Sequence, residues 1–97
     1  MSYRIYWRRN DGVSGHVWLS AGDMEALTVE MTLQGMPWPG DRLPGPGADA
    51  VIEADEVDRV IAVARETPMA LEDGQLWIDW LVFLEGATQN GGLLIRA

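Results

Sequence analysis

The chain has 97 residues, with 15 carboxylates against seven arginines, no lysine and no cysteine, for a formal net charge of −8. With 47% apolar and 23% charged residues it has globular proportions and room for one hydrophobic core, so a single domain over residues 1–97 is expected. The missing cysteines exclude disulfides and thiolate metal cages, the negative field opposes nucleic acid phosphates, and no stretch approaches the roughly 18 apolar residues of a membrane span.

Residues 3–9 and 13–19 alternate in character around Asn10-Asp11-Gly12, which predicts an N-terminal β-hairpin. A two-residue turn at Asp11-Gly12 would mix both faces. A three-residue loop with Gly12 in the left-handed conformation instead puts Tyr3, Ile5 and Trp7 on one face with Val13, Val17 and Leu19. The opposite face then carries Arg4, Tyr6, Arg8, Ser14, His16 and Trp18, a basic and aromatic patch on an acidic protein.

Ser20, with Asp23 three residues on, reads as an N-cap with an acidic first turn, and Met24, Leu27 and Met31 recur at helical spacing until Gly35. The spacing predicts a helix over 21–34. Residues 36–48 contain four prolines and read as a long loop. Val51-Ile52-Glu53 predicts a short strand, and Asp55 is expected to cap a second helix whose Val57, Val60, Ile61 and Ala64 follow the i, i+3, i+4, i+7 rule until Thr67-Pro68.

Residues 76–84 (LWIDWLVFL) suit a buried helix or a buried strand by periodicity, and helix is the preferred reading. As a helix, Gln75, Asp79 and Gly86 fall on one edge and Trp77, Trp80, Leu81, Leu84 and Ala87 on the other, with Asn90-Gly91-Gly92 as the stop. As a strand, Asn90-Gly91 becomes a type I′ turn. Residues 93–96 predict a last strand. The fold class is therefore α/β of the α+β type, a small and mostly antiparallel sheet that starts with the hairpin and is packed by about three helices. If the helices lie largely on one face, the other sheet face must be solvated or paired.

The sequence points away from an enzyme. His16 is the only histidine, no serine sits in a nucleophile elbow, and the glycines match neither dinucleotide nor P-loop fingerprints. Glu53, Asp55, Glu56 and Asp58 lack calcium-loop spacing, and a helix N-terminus already accounts for acidic residues there. No metal or other cofactor is expected. Asp79 is either a buried acid inside the apolar run or a residue of its solvent edge, the second being preferred.

Two features read as binding surfaces. One is the hairpin patch of Arg4, Tyr6, Arg8, His16 and Trp18, residue types enriched at interface hot spots; the competing reading covers this patch with a helix of the same chain. The other is the 36–48 loop, in which Trp38 stands between two prolines and serves either as an exposed anchor or as a pin against the core.

The expected function is a non-enzymatic protein-binding module, in its sharper form an acidic inhibitor of the immunity or antitoxin kind. Such a module would meet a basic partner through Glu53, Asp55, Glu56 and Asp58, with Trp38 as an anchor. The alternatives are a small-molecule or enzymatic domain with a pocket lined by Trp77, Trp80 and methionines, and a structural homodimer that buries the Arg4/Tyr6/Trp18 face. The N-terminal run from Met1 to Ile5 lacks the regions of a secretory signal, so a cytoplasmic location is expected. Rich use of Ala, Gly, Arg and Asp suggests a bacterial source.

Overall fold

The computed structural model of the chain describes residues 2–9, 12–39, 42–45, 47–66 and 74–97. Seven elements follow in chain order: β1 (Ser2–Arg9), β2 (Gly12–Ser20), α1 (Ala21–Leu33), β3 (Asp49–Ile52), α2 (Ala54–Glu66), α3 (Gly74–Thr88) and β4 (Leu93–Arg96). The strands form one antiparallel sheet in the order β2-β1-β4-β3, which makes the architecture α+β. Among the described residues no helix is long and apolar enough to cross a membrane.

Strand alternation assigns each side chain to a face. Ile5, Leu19, Ile52, Leu93 and Ile95 point to one face and are buried together with Met24, Leu27 and Met31 of α1, Val57, Val60 and Ile61 of α2, and Trp77, Trp80, Leu84 and Ala87 of α3. All three helices therefore cover the same face. The run 76–84 is helix, because only a helix lets Trp77, Trp80, Leu84 and Ala87 share one buried stripe. The strand reading with a turn at Asn90-Gly91 is thereby overturned. Ser20 caps α1 as its sequence signature requires, its Oγ accepting from the Asp23 N–H at 3.1 Å.

The capping of α2 differs from the expectation. Helix α2 begins at Ala54, so Asp55 lies inside its first turn; the cap position falls to Glu53, whose carbonyl accepts from the Glu56 and Val57 N–H groups. The proposed stop at Thr67-Pro68 lies outside the described residues.

The hairpin register changes along its length. Tyr3 pairs with Leu19 and Ile5 with Val17, as a three-residue loop requires, but the ladder then shifts so that Trp7 pairs with Ser14 and Arg9 with Gly12. Gly15 is the extra residue. It takes the left-handed conformation at φ 58°, and Gly12, expected to be left-handed, also has a positive φ, 135°.

The reason for the bulge is Trp7. Its indole fills a slot between β2 and α3: a Cβ on Gly15 would lie 2.3 Å from the ring, and one on Gly86 would lie 2.2 Å from it. The indole N–H donates to the Phe83 carbonyl at 2.8 Å. Gly86 thus belongs to the sheet-facing side of α3, not to the solvent edge with Gln75 and Asp79. Gly86→Ala should gain about 1 kcal/mol of helix propensity but lose about 1–3 kcal/mol to overpacking, for a net destabilisation. Urea denaturation checks this, and the loss should shrink when Trp7 is replaced by Phe. A raised midpoint would show that the ring does not occupy the slot.

Candidate interaction surface

Among the described residues, nothing covers the sheet face away from the helices. Cross-strand pairing sets it out in two rows, Trp18–Arg4–Arg96–Asp49 and His16–Tyr6–Leu94–Val51, with Arg8 next along β1. Trp18 is 59% and Val51 47% exposed, high values for large apolar side chains. All five residues of the predicted hairpin patch, Arg4, Tyr6, Arg8, His16 and Trp18, lie here, and the reading that a helix covers them is overturned.

Local contacts order the face. Tyr6 and His16 stack with ring centroids 5.1 Å apart, and the Arg96 guanidinium lies 5.8 Å from the centre of the Tyr6 ring. Arg8 reaches Glu53 at 3.3 Å and Arg96 reaches Asp49 at 3.5 Å. These exposed pairs hold side-chain geometry more than they add stability. His16 faces an aromatic ring and open solvent, and among the described residues no group of three or more His, Asp or Glu is placed to hold a metal.

The acidic cluster does not act as one unit. Glu53 is engaged by Arg8, and Asp55 by Arg59 one turn on at 3.7 Å. Glu56 is the least exposed and has a structural role: Arg42 donates to it at 2.6 Å and to the Pro37 carbonyl at 3.3 Å, clasping the 36–48 loop to α2. Asp58 is exposed on α2.

Trp38 leaves the set of surface candidates. It has no exposed surface and stacks on Trp80 with centroids 6.0 Å apart. The proline-rich loop carries it inward as a pin, because an indole gains more by burial than the loop loses by being drawn in.

Asp79 accepts from Gln75 at 2.7 Å on the exposed side of α3, which disposes of the buried-acid reading. Among the described residues the buried carboxylate is Glu30, accepting from Gln34 at 2.9 Å. Its position three residues after Leu27, on the inward stripe of α1, was the available signal.

Hollows open at the surface between described residues. One of about 310 Å³ is lined by Ser2, Arg4, Gly47, Asp49, Arg96 and Ala97 at the end of the uncovered face. Another, about 250 Å³, lies beside β2 and is lined by Val17, Trp18, Leu19, Leu76 and Trp80 together with the exposed Asp23 and Asp79.

The chain matches no protein-family model, no curated protein and no solved structure. Its surface must therefore be read from its own charge and shape. Charge is divided by secondary structure: the helices carry nine carboxylates against two arginines, and the strands carry four arginines against one carboxylate.

Proposed function

We propose that this chain is a non-enzymatic protein-binding module whose acidic helical layer meets a basic protein, as an inhibitor of the immunity or antitoxin kind would. The observation that carries the reading is the division of charge between helices and sheet. A layer of one sign speeds encounter with its opposite and rejects like-charged competitors. Asp23, Glu25, Asp55, Asp58 and Glu66 are the exposed carboxylates of α1 and α2 that supply the field, while Glu56 is kept for the loop clasp.

The test is a pull-down of the tagged chain from its native lysate at low and high salt. A basic protein should be retained stoichiometrically at low salt and released as screening rises. Joint replacement Asp55→Asn and Asp58→Asn, which spares the clasp, should reduce its retention several-fold. No retained basic protein, or retention indifferent to both salt and the double variant, would overturn the reading.

A further inference from the structure

We propose that the free edge of β2 is a self-association strand, pairing antiparallel with β2 of a second copy about a two-fold axis. The two four-stranded sheets then become one continuous sheet.

The two edges of the sheet differ. β3 is four residues long and begins with Asp49, a short charged edge of the kind that resists pairing. β2 runs nine residues, Gly12–Ser20, without a charged residue or a proline, although every other strand carries at least one charge. Among the described residues no strand pairs with its outer side. A long uncharged edge of this kind is a ready template for another strand.

The backbone shows which groups are offered. The Arg8 N–H donates to the Gly92 carbonyl on the β4 side, so alternation turns Tyr6 and Arg4 toward β4 and Ile5 and Tyr3 toward β2. Val17 and Leu19, opposite Ile5 and Tyr3, therefore spend their backbone groups on β1. His16 and Trp18 aim theirs outward. The bulge at Gly15 leaves this end of the strand regular.

The seat beside that edge selects the occupant. An added strand sends alternate side chains into the hollow floored by Val17, Leu19, Leu76 and Trp80, and the others onto the open face beside Trp18. β2 has this pattern itself, with Val17 and Leu19 inward and His16 and Trp18 outward. A second copy thus fills the hollow with apolar groups, sets no charged strand residue against Asp23 and Asp79, and closes into a symmetric pair. A basic segment of another protein is the competing occupant, and the two respond oppositely to salt. Copies that each carry −8 associate more tightly as screening rises, whereas a basic segment is released.

Sedimentation of the full chain over a dilution series, from about 0.01 M to about 1 M salt, tests this across Debye lengths of about 30 Å to 3 Å. A reversible species of twice the 10.7 kDa chain mass is expected, tighter at high salt. Trp18→Lys, at an exposed position, should weaken it about tenfold or more by setting like charges across the axis, while Val51→Lys on the other edge strand should leave it unchanged. Hydrogen exchange should show the His16 and Trp18 amides protected in the dimer.

A chain that stays monomeric in all these conditions overturns the proposal. So does a dimer indifferent to Trp18→Lys, and so does one whose His16 and Trp18 amides exchange at the monomer rate, which would indicate stacking of open faces instead. None of these outcomes bears on the basic-partner reading, which is tested by other residues with another protein.

Discussion

Trp38→Ala is expected to cost about 3–5 kcal/mol, the range for deleting a buried aromatic side chain. Small domains have only about 5–15 kcal/mol of net stability, so this variant should be partly unfolded well below the parent's transition. The loss has two sources. The indole is fully buried against Trp80, so its removal opens a cavity beside Trp80 in the core. It also releases the loop, which is otherwise held through Met36, Pro39 and the Arg42–Glu56 pair.

The companion variant Trp38→Phe separates these effects. The Trp38 N–H is buried and has no hydrogen-bond partner among the described residues, an arrangement that typically costs about 1–3 kcal/mol. Phe keeps the ring and discards the unsatisfied donor, so its loss should be well below that of Ala. Denaturant titrations followed by circular dichroism give both values. A Trp38→Ala chain as stable as the parent would show that the loop does not dock as described.

Gly92→Ala should be comparably damaging, about 2–5 kcal/mol, from backbone strain and overpacking together. Gly92 has φ 97°, and a Cβ there would lie 2.0 Å from the Ile52 carbonyl oxygen and 2.9 Å from the Ala54 nitrogen. Those are backbone atoms at the junction of β3 with α2, and unlike a flexible side chain they cannot swing aside.

The residue is a joint of the fold. Its N–H donates to the Ala87 carbonyl and closes α3, while its carbonyl accepts from the Arg8 N–H of β1. Gly45→Ala, where a Cβ meets nothing within 4 Å and φ is not positive, is the control and should change stability by less than about 0.5 kcal/mol. Thermal melts of the two variants against the parent provide the check. Equal melting temperatures for Gly92→Ala and the parent would contradict this packing.

Much of the architecture was legible from local chemistry. The period-2 alternation in residues 3–9, the Ser20 cap, and the 3.6-residue stripes of Met24, Leu27 and Met31 and of Val57, Val60 and Ile61 each state a local preference that the structure satisfies. These are short-range signals, set by backbone sterics and by which face of an element is apolar. The membership of the hairpin patch could be read the same way, because alternation assigns faces before any partner is known.

What lay beyond the sequence was decided by contacts between residues far apart in the chain. Whether a helix covers the hairpin patch depends on where β4 and β3 join the sheet and on which side the helices fall. Gly15 joins Gly12 at positive φ because the Trp7 ring needs room, and that need is set by Phe83 and Gly86 nearly eighty residues away. Trp38 between its prolines had no periodicity to reveal its direction, and only docking against Trp80 settled that it points inward. Local preference therefore determined the elements and their apolar faces, while long-range packing decided which face stays open and which strand edge stays free.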